Sequence, residues 1–200
     1  MKRESSARRG VTGSVRIIGG SLRGSKLAVA DLPGLRPTPD RVRETLFNWL
    51  APMISGARCL DLYAGTGALG IEALSRGAAA VEFVERDVAL VRTLRDNVER
   101  LKVVGATVRH ADAARLLEGA AEHPFDIVFI DPPFTDGLWE RSAAQLEAGH
   151  WLSASALIYV ESPATTSIAI PPTWLPHREK HAGVVRYALF SRSAKLASYE

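Results

Sequence analysis

From Ala57 onward, short apolar runs alternate with stretches of helical spacing, which restricts the chain to a mainly parallel sheet covered by helices on both faces. Arg58 to Tyr63 is the first run, followed by a glycine turn and a helical stretch from Ala68 to Arg76. Ala80 to Val84 is the second, ended by Glu85, after which Val88, Val91, Leu94, Val98 and Leu101 recur at helical spacing. Thr107 to Arg109 and Asp112 to Leu117 make a weaker third unit. Phe125 to Ile130 is a strong fourth strand that runs into Asp131-Pro132-Pro133-Phe134, and Ala156 to Val160 is a fifth. After Pro171-Pro172 the alternation stops: His177 to His181, Ala182-Gly183 and Val184 to Ser191 read as an antiparallel hairpin that closes the sheet. Sheets of this kind bind ligands outside the carboxyl ends of their strands, so the site is expected there.

The chain ahead of Ala57 reads differently. Residues 1–14 form a polar, basic tail; Val15 to Ile18 and Lys26 to Val29 flank Gly19-Gly20 as a basic hairpin with Arg16, Arg23 and Lys26 exposed. Thr38 and Pro39 supply an N-cap hydroxyl and a first-turn proline for a helix with Val42, Leu46, Trp49 and Leu50 as its apolar stripe. Arg41, Arg43 and Glu44 fall outside or beside that stripe. The expected organisation is a flexible tail over 1–14, a hairpin region over 15–36, a main domain over 37–192 and a short tail over 193–200.

Net charge is only +3, yet residues 1–50 hold ten Lys/Arg against four Asp/Glu, while the remainder holds fifteen against eighteen. A basic end on a slightly acidic body suits contact with a polyanion, nucleic acid first, although a solubilising tail has the same composition. With 46% hydrophobic and 24% charged residues, the chain has the make-up of one globular domain rather than of a disordered, collagenous or coiled-coil protein. No apolar run approaches the roughly 20 residues of a membrane span, and no apolar segment backs the basic N-terminus, so a cytoplasmic protein is expected. Cys59, the single cysteine, excludes an internal disulfide and a cysteine zinc cluster, and the five histidines show no ligand spacing; no metal is expected. Cys59 and Trp49 read as core residues and His110 as a strand-end residue, without a role in chemistry.

Three features carry chemistry. Asp61-Leu-Tyr63-Ala-Gly65-Thr66-Gly67-Ala-Leu-Gly70 follows a strand and opens a helix, so its glycines let the backbone turn sharply beside free helix-terminal amides. The bare pattern also fits a nicotinamide enzyme, or a tight turn with no ligand. Glu85, twenty residues after Gly65, can accept hydrogen bonds from ribose hydroxyls or act as an acid favoured by a helix N-terminus. Asp112 can take an exocyclic amine of adenine or cap its helix. The sharpest feature is Asp131-Pro132-Pro133-Phe134: fixed proline φ angles present the Asp131 carboxylate and the Pro132 carbonyl as acceptors and place the Phe134 ring over a planar group. That arrangement suits an NH2 on an aromatic ring; a proline-rich loop start with a buried Phe is the structural alternative.

Together these features resemble class I S-adenosyl-L-methionine-dependent methyltransferases acting on exocyclic nitrogen. More closely, Arg16-Ile-Ile-Gly-Gly, Arg23-Gly, Leu35-Arg-Pro-Thr-Pro-Asp-Arg-Val-Arg-Glu-Thr-Leu-Phe-Asn48 and Leu60-Asp-Leu-Tyr-Ala-Gly-Thr-Gly-Ala-Leu-Gly-Ile-Glu-Ala73 resemble the RsmD family of bacterial ribosomal RNA guanine-N2 methyltransferases, over about residues 15–190. Tyr63 stands where that family more often has Phe. The resemblance implies an α/β, Rossmann-like methyltransferase fold: a mostly parallel seven-stranded sheet with a C-terminal antiparallel hairpin and a small N-terminal β-hairpin extension. It implies methylation of guanine 966 of 16S ribosomal RNA in a small-subunit assembly particle, by a monomer. Asp131, Pro132, Pro133 and Phe134 would be catalytic. Asp61, Tyr63, Gly65, Thr66, Gly67, Glu85, Arg86, Asp112, Ala113 and Asp131 would bind the cofactor, joined by Arg41 and Glu44, which helix-face logic alone leaves as solvated charges. Arg16, Arg23, Lys26, Arg36 and Arg43 would meet the RNA. A nicotinamide-dependent oxidoreductase, another RNA or DNA amino-methyltransferase and a non-catalytic RNA-binding module are the alternatives.

Overall fold

Strands buried on both faces need helices above and below, and the chain supplies them in sequence order. The computed structural model describes residues 11–30 and 38–193. A hairpin of β1 (Val11–Arg16) and β2 (Lys26–Ala30) precedes α1 (Asp40–Leu50). Then follow β3 (Arg58–Asp61), α2 (Ala68–Ser75), β4 (Ala80–Glu85), α3 (Val88–Arg100), β5 (Ala106–His110) and α4 (Ala113–Leu116). The chain finishes with β6 (Phe125–Ile130), α5 (Trp139–Ala148), β7 (Leu152–Pro163), β8 (Trp174–Ala182) and β9 (Val185–Arg192). The main sheet has the order β5-β4-β3-β6-β7-β9-β8; its first five strands are parallel, and β9 runs antiparallel to both β7 and β8. The expected seven-stranded sheet with a closing hairpin is therefore present. Strand order reverses between β3 and β6, which puts the cleft at the mouths of those two strands.

One core layer joins the β1–β2 hairpin, α1, α2 and α3 to one sheet face; α4 and α5 pack on the other through residues such as Leu117, Trp139, Ala143 and Leu146. Helix α5 was not anticipated from the sequence, although Trp139, Ala143 and Leu146 form its buried stripe. Gly70 shows why a glycine sits in the first turn of α2: a Cβ there would meet the Phe83 ring at 2.2 Å, so the residue allows close helix-to-strand packing.

The N-terminal boundary needs correction. Strand β1 starts at Val11, inside the stretch read as a tail, and pairs with β2 from Val11↔Ala30 to Arg16↔Lys26. Nor is the hairpin a loose appendage: Val15, Ile17, Leu27 and Val29 are buried in the same layer as Leu46, Phe47 and Leu94. Asn97 of α3 fastens it as well, accepting from Ala28 N and donating to Ala28 O. Among the described residues, no helix is long and apolar enough to cross a membrane.

Candidate active site

Three strand mouths build the cleft. At the end of β3, Asp61 is 3% exposed and its Oδ2 accepts from Gly70 N at 3.0 Å, so a carboxylate occupies the first turn of α2. Burial pushes its pKa up to about 7, against the lowering effect of the Gly70 amide, with a smaller upward push from Glu85. Gly65 and Gly67 take positive φ values of 52° and 77°, which brings the loop back over β4. There Glu85 Oε2 accepts from Gly65 N at 2.9 Å and Oε1 from Asp87 N at 2.8 Å. Asp87, rather than Glu85, caps α3. Asp112 does cap its short helix, accepting from Arg115 N, and Ala113 is buried behind it.

The glycine loop is braced from the opposite side of the sheet. Tyr63, half-buried, shares a 2.6 Å hydrogen bond with Ser142 of α5, and burial raises its pKa. Thr66 is buried in the turn. Arg86 pairs at 2.8 Å with Asp136, which ties the end of β4 to the loop after β6.

At the mouth of β6, Asp131 is half-buried, Pro132 buried, and Pro133 and Phe134 exposed. Phe134 is 39% exposed and tilts 49° from the Trp139 ring with centroids 6.0 Å apart, so one of its faces is available to a planar ligand. This removes the buried-Phe alternative. Asp131 accepts from the Thr38 hydroxyl at 3.4 Å. Thr38 thus differs from its expected role: α1 starts at Asp40 with Pro39 at the cap and no side-chain capping bond, because the hydroxyl turns toward β6 instead.

The candidate RNA residues divide. Arg16, Arg23 and Lys26 are exposed on the hairpin, and Arg16 and Arg23 line a cleft of about 290 Å³ together with Asp40 and Glu44 of α1. Arg36 lies outside the described residues. Arg43 is no RNA contact: it is 0% exposed, donates to Thr38 O, Arg16 O and Asp40 Oδ1, and lies 3.5 Å from Glu72 Oε2. Its position beside the apolar stripe places it under the hairpin. Arg41 and Glu44 are exposed, and neither is bonded to the glycine turn, Glu85, Asp112 or Asp131; Glu44 instead faces the hairpin cleft. Cys59 is buried, with its thiol pushed up to about 12 by burial, and has no part in the site. Glu161, missed in the sequence, lies beside Asp131 on the adjacent strand β7, 5% exposed.

The family model described as "Conserved hypothetical protein 95" matches residues 15–191. The ribosomal RNA small subunit methyltransferase D of Escherichia coli strain K12 is 51% identical over 185 residues, which are 92% of this chain and 93% of that one. The chain belongs to the RsmD family. A Haemophilus influenzae protein of the same name is 45% identical over 89% of this chain and 94% of its own length, so the family likeness extends beyond one genus. The solved structure of yhhF from Escherichia coli superposes with a TM-score of 0.85 at 49% identity, covering 91% of this chain and 99% of that one. The fold is therefore that of RsmD-family methyltransferases.

Proposed function

We propose that this chain transfers a methyl group from S-adenosyl-L-methionine to the exocyclic N2 of a guanine in small-subunit ribosomal RNA, guanine 966, during assembly of the particle. The observation that carries this reading is the mouth of β6, where the Asp131 carboxyl and the Pro132 carbonyl stand beside the exposed Phe134 ring. The first two would accept the amine's two hydrogens, drawing the nitrogen lone pair out of conjugation, and Phe134 would stack on the base for roughly 1–3 kcal/mol. That gain offsets the few kcal/mol needed to extrude a stacked base. Alignment of the nitrogen behind the transferred group supplies the main acceleration, with no covalent intermediate on the protein. Burial holds the pKa of Asp131 well above the usual carboxylate range, so it can take the proton that a methylated amine sheds.

The bound cofactor supplies a methyl group on a cationic sulfur. Asp61, Gly65 and Gly67 would hold its methionine end, Glu85 the ribose hydroxyls, and Asp112 with Ala113 the adenine. The residues present fit such a ligand: Asp61, Glu85 and Asp112 offer acceptors to an ammonium, a diol and an amine. A nicotinamide dinucleotide fits poorly, because its pyrophosphate would seek the first turn of α2, where the Asp61 carboxylate already accepts from Gly70 N. Members of the family carry small-subunit ribosomal RNA in their names, which favours RNA over DNA as the substrate. We take the protein to act as a cytoplasmic monomer on an assembly particle. Small-subunit particles from cells lacking the enzyme are expected to gain one methyl group from the labelled donor, mapped to N2 of one guanine by mass spectrometry. Tryptophan fluorescence should show S-adenosyl-L-methionine binding and no NAD(H) binding. The opposite preference, or methyl groups on another base, would overturn the reading.

Hairpin cations give a separate expectation. Replacing Arg16, Arg23 and Lys26 together with Ala will weaken RNA affinity and lower the slope of log affinity against log salt by about 0.7 to 0.9 per lost phosphate contact. Cofactor affinity will stay constant. An unchanged slope would remove the hairpin from the RNA interface.

A further inference from the structure

Strands β6 and β7 are parallel and in register up to Ile130↔Val160, so Asp131, the first residue past β6, lies beside Glu161, which stays in β7 and pairs with Tyr187 of β9. Glu161 is 5% exposed and its carboxyl is held in place: Oε2 accepts from the Tyr159 hydroxyl at 2.8 Å, and its main-chain oxygen accepts from Trp139 Nε1 at 2.7 Å. The Thr38 hydroxyl, which donates to Asp131 Oδ2, also faces the Glu161 carboxyl. Among the described residues no Lys, Arg or His pairs with either acid. Asp61 from β3 is the third acid of the group, and no set of three His, Cys, Asp or Glu among the described residues is arranged to hold a metal ion.

We propose that Glu161 is a positioning residue for methyl transfer: with Thr38 and Tyr159 it fixes the Asp131 carboxyl toward the amine and shares with it the proton that the amine gives up. The inference rests on the reading that Asp131 accepts the amine hydrogens. In the step itself, an N–H bond of the methylated amine breaks, its electron pair stays on nitrogen, and an O–H bond forms on Asp131. One carboxyl of the pair is then neutral and the other charged. The groups facing Asp131 are Glu161 from β7, Asp61 from β3 and Thr38 ahead of α1; those facing Glu161 also include Tyr159, with Tyr187 of β9 behind it. Burial raises both carboxyls, and the charge of Glu161 raises Asp131 further. Removing that charge therefore lowers the pH at which Asp131 titrates.

Glu161→Gln keeps the side-chain volume and removes the charge. The expected result is a fall in kcat of about tenfold, KM for S-adenosyl-L-methionine within about twofold, and an acid limb of the kcat profile moved down by about one pH unit. Carbon-13 NMR of aspartate-labelled protein without cofactor should show the Asp131 carboxyl titrating lower by the same amount. Thr38→Val provides a second variant, with a comparable kcat loss and unchanged KM. Wild-type kcat in both variants overturns the proposal, as does a lower kcat with neither the acid limb nor the NMR titration displaced, which would mark a merely structural residue. Should Glu161→Gln not fold, wild-type kcat in Thr38→Val overturns the proposal by itself. If Asp131→Asn retains full activity, the reading of Asp131 fails, whatever the Glu161 variant does.

Discussion

Asp131→Ala lowers methyl transfer by about 10²- to 10³-fold, the loss typical of removing one aimed polar group from a transition state, and leaves S-adenosyl-L-homocysteine binding within about threefold of wild type. The separation follows from geometry. Asp131 stands at the mouth of β6 and bonds to Thr38, whereas the proposed cofactor contacts of Asp61, Gly65, Glu85 and Asp112 come from β3, β4 and the turn after β5. Single-turnover transfer to small-subunit particles and isothermal titration with the demethylated cofactor measure the two effects. Equal losses in both would make Asp131 a binding residue, and activity within about tenfold of wild type would remove it from the chemistry.

Glu72→Ala costs about 3–5 kcal/mol of unfolding free energy, because it leaves the buried Arg43 Nη1 and several donors without their acceptor at once. Glu72 is 0% exposed and accepts from Ile18 N, Gly19 N and Arg76 Nε, each at 2.8 Å. Arg43 Nη1 lies 3.5 Å away without a hydrogen bond of its own, so Glu72 is the electrostatic partner of that buried nitrogen. Urea unfolding at constant pH measures the loss. The double variant Arg43→Met/Glu72→Leu should recover only the part due to the unpaired charge, since Ile18 N, Gly19 N and Arg76 Nε still lack their acceptor. A loss below about 1 kcal/mol for Glu72→Ala would show that the hairpin is held by its apolar residues and the Asn97 bonds rather than by Glu72.

What could be read from the sequence was what local pattern encodes. The buried runs of β3, β4 and β6, the glycine turn and the proline-fixed mouth of β6 each announce themselves within ten residues, and the structure contains all of them. Contacts between distant segments leave no such trace. Thr38 looked like a helix cap because its hydroxyl precedes a proline, yet its partner is 93 residues away on Asp131. Arg43 looked solvated because a charge beside an apolar stripe is usually exposed; its burial depends on Glu72 and on the Arg16 carbonyl contributed by the hairpin. Glu161 follows the apolar run Ala156 to Val160 within β7, and only the β6–β7 register reveals its neighbour. Helix α5 escaped notice because a stripe of Trp139, Ala143 and Leu146, mixed with Ser and Gln, is weakly apolar until it meets the sheet.

The anchoring of the hairpin changes how its contribution to substrate capture can be dissected. A shortened protein starting near Thr38 would uncover the surfaces that Ile17 and Leu27 seal, both fully enclosed here, and would leave the Glu72 carboxylate without two of its amide donors. Loss of activity in such a fragment would report misfolding as readily as lost grip. Charge reversal at the solvent-facing arginines, with the inner face untouched, separates the two.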